Sequence, residues 1–540
     1  MSGDWLDNRH AKMLNMSVSR RHILSLGGTM LGAAAFGGAF GIAGAARERG
    51  SDATPVAGSP GWPVETPDYT SLAAAVQGEA ARWNIPGMTA AVLHNGERTA
   101  AASGVTNVEY PVPVTPGTGF QIGSISKVFT ATAVMALVDQ GKLDLDTPVW
   151  EWVPDLPIQR PDAYATLSLR HLLNHTTGFE GDIYFDMGNG DDALAAGIAR
   201  FGEIRPWTKP GEVVAYCNTG FCLAGRIIEL VTGQVYEDAI ADLIFAPLGM
   251  ERTSFPSTDL LTWPTSSGHS LPRREQGNIV ARPWALPRFV NAAGGIVSTV
   301  DDLLTFAAMH MNDGAFEGTR ILSPAATEEM RTRTSASDQL DEGYGVGWNI
   351  VHAGDVPLIN HGGATNGFRA WLLTVPSHQF AIAMLTNSDE GLRATDALEQ
   401  WALRHYLNLE RTTPAATSVD TGELARVAGR YERHDGIIDV WHVDDHLHLE
   451  HRFVEHDDAF STLESPESAP TALALWPAGN GVFVAPGGPP LESVVEFFDA
   501  PLFGAGADLE PRPAMRRGGR LAERTGDAPA SGPTIPAQNT

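Results

Sequence analysis

The chain has 540 residues, a length that predicts more than one folded domain. Its hydrophobic fraction of 43% predicts sizeable cores. Its formal net charge of −27 argues against a nucleic acid partner, because a phosphate backbone would be repelled. Only Cys217 and Cys222 are cysteines, which excludes a disulfide framework and a cysteine metal site. We expect two buried free thiols, with a strained bridge between them as the alternative.

The N-terminal segment carries an export pattern. Arg20 and Arg21 precede an uncharged stretch rich in Gly and Ala, and small residues at 43–45 suit cleavage. This pattern resembles a twin-arginine signal peptide over residues 1–45. It predicts an exported, extracytoplasmic protein with no stable membrane span once the signal is cleaved, with an uncleaved anchor as the alternative. Residues 46–66 are rich in Pro, Gly, Ser and Ala and are predicted to be a linker.

The middle of the chain mixes strand and helix patterns. Residues 88–94 and 97–102 flank Asn95-Gly96, which predicts a β-hairpin. Apolar runs joined by a short turn predict neighbouring antiparallel strands over residues 368–375 and 380–386. Helical spacing of apolar residues predicts helices over residues 128–138, 221–231, 301–310 and 394–407. The order of these elements favours an α+β domain.

The C-terminal part differs in composition. Residues 411–421, with a proline and several threonines, are predicted to be a second linker. Residues 422–512 contain short alternating runs separated by turn residues, which predicts a small all-β barrel or sandwich. Residues 513–540 are rich in Arg, Gly, Pro and Ala and are predicted to be a disordered tail.

The segment Ser124-Ile125-Ser126-Lys127 carries the strongest chemical signal. Residues three positions apart share one face of a helix, so an amine at 127 can reach a hydroxyl at 124. An amine held there can take the proton of a serine and make it nucleophilic. The chain has only four lysines, and Lys127 alone has a serine three residues before it. The spacing therefore predicts a serine nucleophile at Ser124.

Two further motifs follow in the order expected of one site. In an extended segment, the side chains of Tyr216 and Asn218 would point the same way. His361-Gly362-Gly363 is predicted at the start of a strand, where the glycines allow a close backbone or substrate approach. Each motif is weak when it is taken singly. A Tyr-x-Asn motif recurs at residues 406–408, and His-x-Gly recurs at His94, His352 and His434.

As a set, these motifs resemble the serine β-lactamase-like and DD-peptidase family over roughly residues 67–410. Leu-Leu-Asn-His-Thr-Thr-Gly at 172–178 resembles a further loop of that family. The resemblance implies an antiparallel sheet flanked by helices, with a helical subdomain. The region 422–512 resembles the lipocalin-like barrels appended to some of these peptidases, and could mediate homo-oligomerisation.

The resemblance also implies site roles. It implies catalytic roles for Ser124, Lys127 and Tyr216, and substrate or oxyanion contacts for Asn218, His361, Gly363 and Ala364. Ser124 would form an acyl-enzyme, with the base left open between Lys127 and Tyr216, and Asn218 would hydrogen-bond Lys127. The backbone N–H groups of Ser124 and Ala364 would form an oxyanion hole. No metal or organic cofactor is needed. His175 is expected to pin its loop through a hydrogen bond, with a role as second base as the alternative.

The third motif bears on the substrate. A β-lactamase of this kind has Lys-Thr-Gly where this chain has His361-Gly362-Gly363. We therefore expect a D-amino-acid-type peptidase, carboxypeptidase or amidase with esterase activity, acting on a small acyl or peptide substrate. A carboxylesterase or weak class C-like β-lactamase is one alternative. A penicillin-binding or muropeptide-sensing protein with little turnover is another.

Overall fold

A computed structural model describes residues 66–270, 277–336, 343–411, 417, 419–454, 471–485, 493–504 and 508–530. The predicted signal over residues 1–45 lies outside the described residues, as does the predicted first linker apart from Thr66. Within the described ranges, no helix combines the length and the hydropathy that a membrane span requires.

The larger domain precedes residue 411. Its helices are α1 Leu72–Arg82, α2 Ser126–Asp139, α3 Leu169–Leu173, α4 Ala193–Ile198, α5 Asn218–Thr232, α6 Tyr236–Ile240, α7 Ala246–Leu248, α8 Asn291–Gly294, α9 Val300–Met311, α10 Pro324–Arg331 and α11 Gly391–Ala402. Its strands are β1 Gly87–His94, β2 Glu97–Gly104, β3 Phe120–Gln121, β4 His269–Ser270, β5 Ile279–Val280, β6 Val297–Ser298, β7 Ala315–Phe316, β8 Thr319–Arg320, β9 Ser335–Ala336, β10 Gly343–Tyr344, β11 Asn349–Ala353, β12 Val356–Thr365, β13 Phe368–Val375 and β14 Phe380–Thr386.

An eight-stranded antiparallel sheet organises this domain, in the order β2-β1-β14-β13-β12-β11-β10-β9. The predicted β1–β2 hairpin is confirmed, and its turn residues Asn95 and Gly96 have φ of 52° and 85°. A two-residue turn with both residues in the left-handed region matches the twist of the flanking strands. The predicted antiparallel pair β13–β14 is also confirmed.

The alternation of side chains along β1 separates two hydrophobic cores. Ala91 and Leu93 pack with α2, α5 and α9 on one face of the sheet. Ala90 and Val92 pack with α1 and α11 on the opposite face. Because successive strand residues point to opposite faces, one apolar strand serves both cores. This arrangement confirms the predicted α+β fold, with an antiparallel sheet between layers of helices.

The second domain is a closed barrel of eight strands, preceded by the short helix α12 Thr421–Val427. The strands are β15 Gly429–Arg433, β16 Gly436–Val443, β17 His446–Phe453, β18 Thr471–Gly479, β19 Val482–Val484, β20 Val494–Phe503, β21 Leu509–Arg517 and β22 Arg520–Gly526. Pairing of β15 with β22 closes the barrel. Leu424 and Val427 of α12 join inward side chains such as Tyr431 and Phe497 in its core. The predicted C-terminal β domain is therefore confirmed as a barrel.

The disordered tail predicted for residues 513–540 is wrong over its first part. Residues 513–526 lie in β21 and β22, which supply the last two strands of the barrel. Met515 and Ala522 face the barrel core, while Ala514 and Leu521 face the larger domain. The arginines and glycines that resembled a disordered composition lie in two short strands and the turn between them.

The barrel packs against the larger domain through a small apolar cluster. The larger domain contributes Trp207, Val213 and Ala215, and the barrel contributes Ala500, Leu502, Ala514 and Leu521. The two domains are further joined by a hydrogen bond of 2.8 Å from Phe503 N–H to the carbonyl oxygen of Trp207. This contact brings β20–β22 next to the segment that ends at Tyr216.

Candidate active site

Ser124 lies in a single 3₁₀ turn, Gly123–Ile125, directly before α2. The preceding strand β3 is held by β6, and Ile122 N–H donates a hydrogen bond of 2.9 Å to the carbonyl oxygen of Ile296. Gly123 has a φ of 51°, a left-handed conformation that favours glycine. The turn leaves Ser124 partly exposed, whereas its neighbours Gly123 and Ile125 are buried.

Lys127 is fully buried on the first turn of α2. Its Nζ lies 3.1 Å from Ser124 Oγ, and it donates a hydrogen bond of 2.6 Å to the carbonyl oxygen of Ala293 on α8. Burial lowers the pKa of Lys127 to about 7, and the nearby Arg520 guanidinium adds to this effect. A substantial neutral fraction is therefore present near neutral pH. A neutral amine at this distance can accept the Ser124 proton.

Ser126 has a different environment from Ser124. It is fully buried, and its Oγ accepts a hydrogen bond of 3.1 Å from Ile296 N–H. This contact ties α2 to the segment after α8. Of the two serines in the motif, only Ser124 combines exposure with contact to the Lys127 amine.

The Tyr216 ring lies over the amine of Lys127, with Nζ 5.0 Å from the ring centroid. Its hydroxyl lies beside Ser124, which favours the ionised phenol, but the geometry falls short of a full hydrogen bond. Burial has the larger effect and raises the pKa of Tyr216. Tyr216 is therefore a neutral phenol near Ser124.

His175 contacts both the backbone and the ring of the segment that carries Tyr216. Its Nδ1 accepts a hydrogen bond of 3.0 Å from Cys217 N–H, and its ring stacks on Tyr216 at 4.3 Å between centroids. Burial holds the pKa of His175 well below its usual range, with a further contribution from the charge of Lys127. The hydrogen bond agrees with the predicted loop-pinning role.

Asn218 has a different partner from the one predicted. It begins α5, and its Nδ2 donates hydrogen bonds of 2.6 Å to both Asp182 Oδ1 and the Tyr184 hydroxyl. The hydrogen bonds of Lys127 go to Ser124 and Ala293 instead. The prediction that Asn218 bonds Lys127 is therefore wrong, because the extended conformation ends at Cys217 and the helix turns the Asn218 side chain toward the 179–184 loop.

His361 lies in the second half of β12 and not at the start of a strand, as the sequence predicts. Its Nδ1 lies 2.6 Å from the carbonyl oxygen of Gly362, so Nδ1 carries the proton and Nε2 is the acceptor. Nε2 is buried without a hydrogen-bond partner among the described residues. Burial lowers the pKa of His361 to about 3, and the charge of Lys127 acts in the same direction. His361 is therefore a neutral acceptor.

The second half of β12 lies against the Ser124 turn. Pairing of β11 with β12 stops at Asn349 and Asn360, so no described strand pairs with residues 361–365 on that side. The Ser124 turn occupies this space: a Cβ on Gly123 would lie 2.5 Å from Ala364 N, and one on Gly363 would lie 1.8 Å from the carbonyl oxygen of Ile122. Both glycines are therefore required for the two backbones to meet.

Comparison with known proteins identifies the family. The sequence profile described as Beta-lactamase matches residues 72–405, more than half of the chain. The chain belongs to the beta-lactamase family. Penicillin-binding protein 4 of Amycolatopsis lactamdurans is 34% identical over 361 residues, which cover 65% of this chain and 94% of that protein.

Two solved structures superpose on the chain. The structure of SurE superposes with a TM-score of 0.64 at 27% identity, over 83% of this chain and 97% of SurE. The D-amino acid amidase of Ochrobactrum anthropi SV3 superposes with a TM-score of 0.53 at 26% identity, over 62% of this chain and 97% of the amidase. The SurE match, at 83% of the chain, is longer than the family match over residues 72–405.

Both cysteines of this beta-lactamase family member are free and buried. Cys217 caps α5, where its Sγ accepts a hydrogen bond of 3.2 Å from Gly220 N–H. Burial raises the pKa of the Cys217 thiol to about 12. The expected pair of buried free thiols is therefore confirmed, and the alternative bridge is not formed.

Sequence motifs missed two charged residues at the site. Asp182 accepts the Asn218 hydrogen bond and forms an ion pair with Arg520 of the barrel, and both side chains are 4% exposed. Asp182 follows the 172–178 motif by four residues, so its position next to a family loop is a weak signal. Arg520 has no such signal, because it lies in the segment whose composition predicts disorder.

Proposed function

We propose that the protein is an exported serine hydrolase that works through an acyl-enzyme on Ser124. Its most suitable substrates are amides or peptides of D-amino acids, with esters as simpler substrates. The observation that carries this proposal is the 3.1 Å contact between Ser124 Oγ, which is partly exposed, and the buried Lys127 amine with its pKa of about 7. That pair has the geometry and the proton affinity that nucleophile activation requires.

The acylation step uses groups of this chain only. Neutral Lys127 takes the proton of Ser124 as Oγ attacks the acyl carbonyl, and the carbonyl oxygen becomes an oxyanion. The N–H groups of Ser124 and Ala364 stabilise that charge, a contribution of about 3 kcal/mol per donor in other hydrolases. Tyr216 relays the proton to the leaving group as the carbon–leaving-group bond breaks. Water then attacks the acyl-enzyme by the same route in reverse.

The neutral His361 supports a peptidase or amidase rather than a dedicated β-lactamase. A lysine at this position would offer a charged donor to the carboxylate of a β-lactam. His361 instead offers an unpartnered Nε2 acceptor, which suits a substrate N–H donor such as the amino group of a D-amino acid. The likeness to a D-amino acid amidase supports the same substrate class.

A second candidate function is penicillin binding with little turnover. The 34% identity to penicillin-binding protein 4 favours it. Such a protein would use the same Ser124 and Lys127 for acylation but would deacylate slowly. A carboxylesterase or weak β-lactamase on the same site differs only in the substrate that is hydrolysed fastest.

A substrate panel separates these functions. The purified protein and its Ser124→Ala variant are assayed with a p-nitrophenyl ester, a D-alanyl anilide, a D-Ala-D-Ala peptide and a chromogenic cephalosporin. We expect turnover of the D-alanyl compounds and the ester, no turnover in Ser124→Ala, and an adduct mass on the peptide that contains Ser124. Full activity in Ser124→Ala would overturn the mechanism. Fast hydrolysis of the cephalosporin alone would make the protein a β-lactamase.

The export and assembly predictions belong to the same proposal. Replacing Arg20 and Arg21 with lysine in the full chain is expected to retain the protein inside the cell, which cell fractionation measures. Assembly of copies through the C-terminal barrel stays a prediction, and the molar mass of the purified protein in solution tests it.

A further inference from the structure

The barrel reaches into the catalytic site through one tight turn. Gly518 and Gly519 connect β21 to β22, with φ of 56° and 78°. The carbonyl oxygen of Gly519 accepts a hydrogen bond of 2.8 Å from Tyr216 N–H. The backbone of the segment that carries Tyr216 is therefore tied to the C-terminal domain.

The next residue, Arg520, is buried against the same tyrosine. Its guanidinium carbon lies 5.0 Å from the Tyr216 ring centroid. Nε and Nη2 both donate to the carboxylate of Asp182, the latter at 3.2 Å, and Nη1 donates to the carbonyl oxygen of Gly518 at 3.2 Å. A bidentate arginine–carboxylate pair fixes orientation as well as charge.

Asp182 connects Arg520 to the motif that contains Tyr216 and Asn218. Its Oδ1 accepts the 2.6 Å hydrogen bond from Asn218 Nδ2. The loop around it also lies close to the tyrosine, since a Cβ on Gly181 would lie 2.4 Å from the carbonyl oxygen of Tyr216. Arg520, Asp182 and Asn218 thus form a continuous chain of polar contacts from the barrel to the start of α5.

We infer that Arg520 is a positioning residue for the acyl transfer proposed above, so that the barrel completes the catalytic site of the beta-lactamase family domain. Arg520 holds Asp182, and through it Asn218, and it packs against the ring of Tyr216. This inference rests on the proposed function. It gives the C-terminal domain a role in positioning the site residues, in addition to the proposed role in joining copies of the chain.

The charges of this pair act in opposite directions on Lys127. Arg520 lowers the pKa of the Lys127 amine and Asp182 raises it. Among the described residues, the titratable or charged groups near Lys127 are Cys217, Cys222, Asp182, Arg520, His175, His361 and Tyr216. Loss of Arg520 alone would leave the Asp182 carboxylate uncompensated, which favours protonated Lys127.

The test follows the pH dependence of kcat/KM for p-nitrophenyl acetate, together with melting temperature. The acid limb of this pH profile is the range in which kcat/KM falls as the pH falls. Arg520→Gln is expected to raise the apparent pKa of the acid limb by about one unit, which lowers kcat/KM at pH 7 about fivefold. Asp182→Asn is expected to move the limb in the opposite direction. Arg520→Lys keeps the charge and should shift the limb less than Arg520→Gln. The double variant Arg520→Gln/Asp182→Asn should return the limb toward that of the wild type.

Arg516→Gln is the matched control. Arg516, on the neighbouring strand β21, is also a buried arginine. It pairs with Glu496 and donates to the carbonyl oxygen of Val214, so its loss disturbs the same interface. It is expected to lower the melting temperature and leave the acid limb unchanged. If Arg520→Gln and Arg516→Gln both change only the melting temperature, Arg520 is structural and the inference fails.

The failure of the inference is distinct from that of the proposed function. If Ser124→Ala hydrolyses the ester as fast as the wild type, the proposed function fails whatever Arg520 does. If Ser124→Ala is inactive and Arg520→Gln keeps the wild-type pH profile, only the inference fails.

Discussion

The imidazole ring of His175 stacks on the phenol ring of Tyr216, with centroids 4.3 Å apart and an angle of 25° between the planes. The same histidine accepts a hydrogen bond from Cys217 N–H, one residue further along the chain. His175 therefore fixes both the ring and the backbone at Tyr216. These contacts favour a positioning role for His175 over a role as catalytic base, because its acceptor nitrogen Nδ1 already accepts a hydrogen bond from an amide.

We expect His175→Asn to reduce stability while leaving the pH dependence of activity unchanged. His175 has a φ of 61°, which asparagine tolerates, so the backbone is kept while the stacking is lost. Leaving Cys217 N–H without a partner costs about 1–3 kcal/mol of unfolding free energy, which urea denaturation measures. Disappearance of the acid limb in this variant would instead make His175 the base.

Lys127→Met is expected to lower kcat/KM for ester hydrolysis by about 10²–10⁴, the usual contribution of a general base. Methionine keeps most of the volume and removes the amine, so the fold should be retained. Lys142→Met is the matched control because Lys142 is exposed. Stopped-flow hydrolysis of p-nitrophenyl acetate gives both rates. Equal rates for the two variants would exclude Lys127 as the base.

The wild-type pH profile follows from the lowered pKa of Lys127, which is about 7. If the neutral amine is the base, as proposed, kcat/KM should be constant well above pH 7 and fall about tenfold for each unit below it. His361→Asn should lower the rate but keep this limb, because the pKa of His361 is about 3 and its ring is neutral throughout. A limb that vanishes in His361→Asn would assign it to the histidine.

Local patterns predicted the parts of the site that depend on short-range geometry. The Ser124 and Lys127 contact needs only the three-residue spacing, and the free thiols follow from the cysteine count. The Asn218 prediction failed because its partner depends on where extended chain becomes helix. His361 lies later in β12 than expected because the strand already begins at Val356, five residues before it.

Long-range ion pairs explain why the sequence predicted a disordered tail where the structure has two strands. Arg520 and Asp182 are 338 positions apart, so no window of the sequence contains both. Within residues 513–526, each of three charged side chains finds its partner elsewhere: Arg516 with Glu496, Arg520 with Asp182 and Glu523 with Arg205. A segment whose charges are paired only in the folded state has the same composition as a solvated, disordered tail.

Gly363→Ala is expected to slow acylation strongly. Its Cβ would lie 1.8 Å from the carbonyl oxygen of Ile122 and 3.3 Å from Ser124 N, so the backbone at Ser124 must move away from β12. That movement separates the N–H groups of Ser124 and Ala364, and loss of one oxyanion donor lowers kcat by about 10²–10³ in other hydrolases.

Gly526→Ala supplies the control, because a Cβ on Gly526 would meet no atom within 4 Å. Mass spectrometry after incubation with a penicillin measures the acylated fraction, and the melting temperature reports folding. We expect Gly526→Ala to be acylated like the wild type. A folded Gly363→Ala that is acylated at the wild-type rate would show that the two N–H groups do not act together as an oxyanion hole.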